Sequence, residues 1–289
     1  MSEVKKRIGW RFIDVNQSSA PSYVSFEQES NETDEEIIER LRERFQILED
    51  MTAAVKQGHV RALIVSGAAG VGKSWGVEQV LSNYEMLATI AGDEKLRQFE
   101  VVKGSMSALG LYAKLYNYRD PKNVLVFDDI DDILVDESCL NILKAAVNTS
   151  GKCTIHWNTD SRKLDREDIP NSFDFRGGLI FITNIKLSDI RGKRAAAHLK
   201  ALESRCHYID LTIHTQREIM LRIRQLIGDG MLDNYGFDEE GVNDVINFIE
   251  DNKHQANVLD LRTVIKVADL KRAFPDRWKS LANVTLLKN

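Results

Sequence analysis

Residues 67 to 74 read Gly67-Ala68-Ala69-Gly70-Val71-Gly72-Lys73-Ser74, residue types and a spacing that can wrap a polyphosphate. Backbone N–H groups must converge on phosphate oxygens in such a turn, and glycine allows both the positive φ and the close approach this requires. Gly67, Gly70 and Gly72 supply that freedom. Lys73 offers a point charge to the β- and γ-phosphates and Ser74 a hydroxyl to Mg²⁺. A helix starting there, with Trp75 in its first turn, would aim its positive end at the same anion. The chemistry implied is the binding of a nucleoside triphosphate. About fifty residues later, Asn123-Val124-Leu125-Val126-Phe127-Asp128-Asp129 is an apolar run ending in two carboxylates. Asp128 could hold Mg²⁺, directly or through its water shell, and Asp129 could polarise an attacking water.

These residues need elements to position them. Ala62 to Val65 reads as a buried strand ahead of the loop, and four more strands are predicted: Gln98 to Lys103, Val124 to Phe127, Leu179 to Thr183 and Tyr208 to Leu211. Short apolar runs alternating with helical stretches indicate an α/β fold, a parallel five-stranded sheet with flanking helices, which collects ligands at the carboxyl ends of its strands. A helix is predicted from Thr33 to Gln57, with Ile37, Ile38, Leu41, Phe45, Leu48 and Met51 on one face and Thr33 as N-cap. After Ile213 the strand signal stops. Four helical segments follow, at Thr215 to Ile227, Asp238 to Asn252, Leu259 to Ala273 and Pro275 to Leu287, predicting a small all-helical lid domain over 214–289 behind a core over 33–213. Residues 1–32 are polar and read as a flexible arm.

Composition narrows the class. No apolar run approaches the roughly 18 residues of a membrane span, and the basic N-terminus lacks the apolar stretch of a secretory signal, so a cytoplasmic location without membrane contact is expected. Cys139, Cys153 and Cys206 lack metal-ligand spacing and are expected as free thiols. A net charge of −5 argues against a surface basic throughout. The densest basic stretch, Arg191-Gly192-Lys193-Arg194 with Lys200, reads first as a solvated helix face. Leu109-Gly110-Leu111-Tyr112 can be a channel-facing loop or, since Leu111, Leu115 and Tyr118 continue at helical spacing, a packed helix face. His156-Trp157 reads as an exposed pair without an assigned mechanism.

The strand ending Asp128-Asp129-Ile130-Asp131-Asp132 resembles the Walker B region of the AAA+ ATPases, with Asp129 in place of the family's usual glutamate. That substitution shortens the side chain by one methylene and predicts slower hydrolysis. Asp131 and Asp132 read as helix N-terminal charges. The resemblance extends from residue 34 to about 275 and implies further roles. Asn184, closing the run Gly178 to Asn184, matches sensor 1, which positions the water or touches the γ-phosphate. Ser204-Arg205-Cys206 is similar to the Ser-Arg-Cys motif of clamp-loader-type members, whose arginine acts in a neighbouring subunit's site. Arg191 and Arg194 are weaker candidates for that role. Arg262, in Asn257 to Thr263, matches the sensor 2 arginine. The resemblance thus implies ATP and Mg²⁺ as cofactors and self-association into a ring or open ring, a hexamer being the favoured count. Expected partners are a protein and nucleic acid.

Overall fold

The computed structural model describes residues 32–92, 99–130, 132–149, 151–184 and 193–287. The expected arm, apart from Glu32, lies outside them, as do Asp131, Arg191 and the side chain of Arg194.

The first element among the described residues is α1 (Asp34–Gln57), started by the expected Thr33 cap: Thr33 Oγ1 accepts from the Glu36 N–H while the Glu36 carboxylate accepts from the Thr33 N–H. Two orphan donors are satisfied together. β1 (Ala62–Ser66) leads through the glycine loop into α2 (Lys73–Ala91). Then come β2 (Phe99–Lys103), α3 (Ala108–Asn117), β3 (Val124–Asp128), α4 (Asp132–Val135) and α5 (Glu137–Ala146). A two-stranded antiparallel ribbon follows, β4 (Thr154–His156) with β5 (Ser172–Asp174), holding α6 (Arg162–Arg166) between its strands. β6 (Gly178–Thr183), α7 (Lys193–Glu203) and β7 (His207–Asp210) complete the α/β part.

The five long strands form one parallel sheet in the order β2-β3-β6-β1-β7. Its central strands are buried along their whole length because helices cover both faces, so they read as continuous apolar runs and not as alternating ones. Ile64, Leu125, Phe127, Leu179 and Phe181 face α3, α5 and α7; Leu63, Val65, Val126, Ile180 and Ile182 face α1 and α2. All five strands lie where the sequence placed them, within a residue at their ends. The ribbon was not foreseen.

A helical lid follows: α8 (Gln216–Gly228), α9 (Glu239–Asp251), α10 (Leu261–Ala273) and α11 (Trp278–Leu286). It has its own core, including Ile223, Val245, Val264, Val267, Trp278 and Ala282. Polar and cation–aromatic ties help fasten it to α1. Arg217 pairs with Asp34, Arg40 pairs with Glu218 at 2.6 Å, and the Arg222 guanidinium stacks 3.5 Å from the Phe45 ring centroid. Burial pushes the Glu218 carboxyl up, but the Arg40 bond and the N–H groups of His214 and Thr215 outweigh it and hold it below its usual value. Among the described residues no helix is long and apolar enough to cross a membrane.

Two readings of single segments are now decided by packing. Tyr112 lies inside α3, fully buried, with its hydroxyl donating to the Pro170 carbonyl at 2.7 Å, so Leu109 to Tyr112 is a packed helix face and not a channel loop. Trp157 is half-buried against the Tyr112 ring, and only His156 of that pair is exposed, because alternation along the ribbon sends neighbours to opposite sides.

Candidate functional site

Strand order explains why distant residues meet. β6 lies between β1 and β3, with Thr183 level with Ser66 and Ile182 level with Asp128, so Asn184 emerges midway between the phosphate loop and the two carboxylates. Lys73, buried at the head of α2, donates to Asn184 Oδ1 at 2.8 Å and to the carbonyls of Gly67 and Ala68, each at 2.7 Å. Asn184 Nδ2 in turn donates to Asp129 Oδ1 at 2.7 Å. Loop lysine, strand-end amide and carboxylate form one hydrogen-bonded relay across three strands.

The loop bends as its glycines allow. Gly67, Gly70 and Gly72 all have positive φ, at 151°, 71° and 101°. At Gly67 there is also no room for a side chain: a β-carbon would stand 2.9 Å from the Leu211 carbonyl oxygen. Ser74 Oγ donates to Asp128 Oδ1 at 2.9 Å, and Lys103, one strand over and in register with Asp128, reaches Oδ2 at 3.1 Å. That bond to Asp128 is the main reason the Lys103 ammonium is held above its usual value. Asp129 leaves the strand in the left-handed region at φ 55°, a conformation Asp tolerates better than Glu, while its N–H still bonds the Ile182 carbonyl at 3.0 Å.

The relay residues, Ser74 and Asp128 line a cleft of about 420 Å³ between sheet edge and lid, within the range of small-molecule sites. The core wall carries Lys73, Ser74, Trp75, Asp128, Asp129 and Asn184; the lid wall carries Leu226, Met231, Asn234, Leu261, Arg262 and Ile265. Arg262 is exposed in the first turn of α10, which starts at Leu261 because Asp260 caps it. Arg205 is elsewhere. Half-buried beyond the end of α7, it donates to the Ala201 carbonyl at 2.5 Å and is not part of the cleft lining. Sequence reasoning missed the apolar lid wall and Lys103, whose positions depend on packing between elements far apart in the chain. Only Asp260, preceding a helical run, carried a readable cap signal.

The donor set suits Mg²⁺. One carboxylate and one hydroxyl, both hard oxygen donors, are the few protein ligands this ion takes when phosphate oxygens and water supply the rest. Among the described residues there is no cluster of His, Cys, Asp and Glu that could hold a metal unaided.

No protein-family model matches the chain. Similar solved structures include the replication initiator DnaA bound to AMPPCP and single-stranded DNA, with TM-score 0.44 and 11% identity, covering 82% of this chain and 63% of that one. NtrX from Brucella abortus in complex with ATP gives TM-score 0.44 and 9% identity over 86% and 54% of the two chains. Drosophila ORC bound to DNA gives 0.39 and 14% over 97% and 70%. The chain therefore spans less than two thirds of the DnaA and NtrX chains. A much nearer relative is an uncharacterized 36.7 kDa protein of Enterobacteria phage T4, encoded in the nrdC-mobD intergenic region. It is 33% identical over 258 residues, which cover 88% of this chain and 77% of that protein. At that identity and coverage, the chain belongs to the same family as this phage T4 protein.

Proposed function

We propose that the chain is an AAA+ ATPase module that binds MgATP in the cleft between sheet and lid. Its hydrolysis cycle would drive remodelling of nucleic acid or of a protein–nucleic acid complex. The relay Lys73–Asn184–Asp129, beside the Ser74–Asp128 pair, is the observation that carries this reading. It joins a phosphate-binding cation to the carboxylate that would orient water, through a single amide that can report on both.

On binding, Lys73 would exchange the Gly67 and Ala68 carbonyls for phosphate oxygens, and the loop N–H groups with the α2 N-terminus would hold the polyphosphate. Ser74 and Asp128 would hold Mg²⁺, which supplies charge neutralisation to the phosphates when bound. Asp129 would accept the proton of the attacking water, with its carboxylate oriented by Asn184. Arg262 would meet the nucleotide from the lid. Arg205 would act on a neighbouring subunit's site, in a ring or open ring for which a hexamer is the favoured count. The Ser-Arg-Cys similarity motivates nucleic acid as the material acted on. ATP turnover measured with and without single-stranded DNA, duplex DNA and RNA tests this: stimulation by one of them is expected, and no response to any would remove the remodelling role.

Asp129 itself favours a second reading, a slow ATPase whose bound state recruits a partner. Its side chain is short and already held by Asn184. Fast, sustained turnover by the unmodified chain would rule this reading out.

A further inference from the structure

The start of α10 packs directly on the phosphate loop. Leu261 donates its N–H to the Gly70 carbonyl at 2.9 Å. Asp260, the residue before it, is buried, and its carboxylate lies directly against the loop: a β-carbon on Gly70 would collide with Asp260 Oδ2 and stand 2.6 Å from Asp260 Cβ. Gly70 therefore meets two demands, a φ of 71° and the close approach of the lid. The other carboxylate oxygen, Oδ1, accepts from the Thr263 N–H at 2.8 Å and from its hydroxyl at 3.0 Å.

Capping accounts for Oδ1 but not for the charge. Ser, Thr or Asn starts a helix about as well as Asp. Here a carboxylate is buried against a loop whose proposed ligand is a polyanion, and two like charges at short range repel. Two residues further on, Arg262 carries the opposite charge into the cleft that Gly70 lines. Phosphates entering the loop would push on one and pull on the other; Asp260 caps α10 and Arg262 sits in its first turn, so the pair would exert a turning force on that helix.

We propose that Asp260 is a positioning residue through which the lid registers phosphate charge: it ties α10 to the Gly70 turn and is driven off that turn by a bound triphosphate. The inference rests on the nucleotide reading above and adds a lid-side response to it.

Asp260→Asn keeps shape and cap while removing the charge, so it separates this role from a structural one. Affinity for a non-hydrolysable ATP analogue and for ADP is measured by calorimetry on the full chain, with hydrogen exchange at the Leu261 amide. The variant is expected to bind the analogue about tenfold more tightly, with a smaller gain for ADP, which brings less charge. In the unmodified chain the analogue should speed exchange at Leu261, and in Asp260→Asn much less. Unchanged or weaker analogue binding by the variant, with the unmodified chain binding normally, overturns the inference alone. Equal gains for analogue and ADP overturn it too. If the unmodified chain binds no nucleotide, the parent reading falls and takes this one with it.

Discussion

At the scale of single residues, the relay makes separable demands. Lys73→Ala removes the cation that holds the loop and would hold phosphate, and a loss of about 10²-fold in triphosphate affinity is expected by calorimetry. Asn184→Ala leaves Lys73 its bonds to the Gly67 and Ala68 carbonyls but frees the Asp129 carboxylate to turn. Turnover should fall by about 10- to 100-fold with KM little changed, the pattern of an interaction made in the transition state. Asp129→Glu is the informative replacement in the other direction. It lengthens the proposed base by one methylene and should raise the single-turnover rate several-fold. Lys73, Ser74, Asp128 and Asp129 were legible because each belongs to a local pattern with its own physical logic. Lys103 and the Gly70–Asp260 contact were not, since their meaning comes from a partner brought near only by sheet register or lid docking.

Among the elements, α1 joins the two parts of the molecule. Its apolar face seats against the sheet, and its N-terminal half carries the Phe45 and Arg40 contacts to α8. At its other end Lys56 is buried, donating to the Lys122 carbonyl at 2.9 Å, and burial lowers its amine from an ordinary 10.5 to about 8. Between those values the unfolded chain binds a proton that the folded chain does not. Stability from this group therefore rises with pH from about 8 to 10.5, and below about 8 the fold bears the cost of a buried charge. Lys56→Met should flatten that dependence and stabilise the protein at pH 7 by on the order of 2 kcal/mol, read from urea unfolding at several pH values. The α1 boundaries and face were readable from Thr33, Glu36 and the spacing of Ile37, Leu41, Phe45 and Leu48. The β4–β5 ribbon was not, because three-residue strands carry too little alternation to stand out, and they are held by packing onto α3, as where Phe173 of β5 meets Tyr112.

For the whole molecule, the proposed shared site makes a claim that a single chain cannot satisfy. Arg205→Ala leaves its own cleft untouched, and Lys73→Ala leaves its own arginine untouched, so each variant alone should be nearly inactive. Mixing them should recover a measurable fraction of turnover, since some interfaces would pair a sound cleft with a sound arginine. No recovery on mixing, with both variants folded and assembling, would place Arg205 in the ordinary role of capping its own helix end. The chain's connectivity also sets an order of assembly on the ribosome. β1, which launches the phosphate loop, pairs only with β6 and β7, and its partner to Ala62 is Leu179. More than a hundred residues must be synthesised before that strand has either neighbour. Until then the loop hangs from an unpaired apolar segment, so a nascent chain halted near the β4–β5 ribbon should hold no nucleotide and be prone to aggregation, and the site should appear only as the sheet closes.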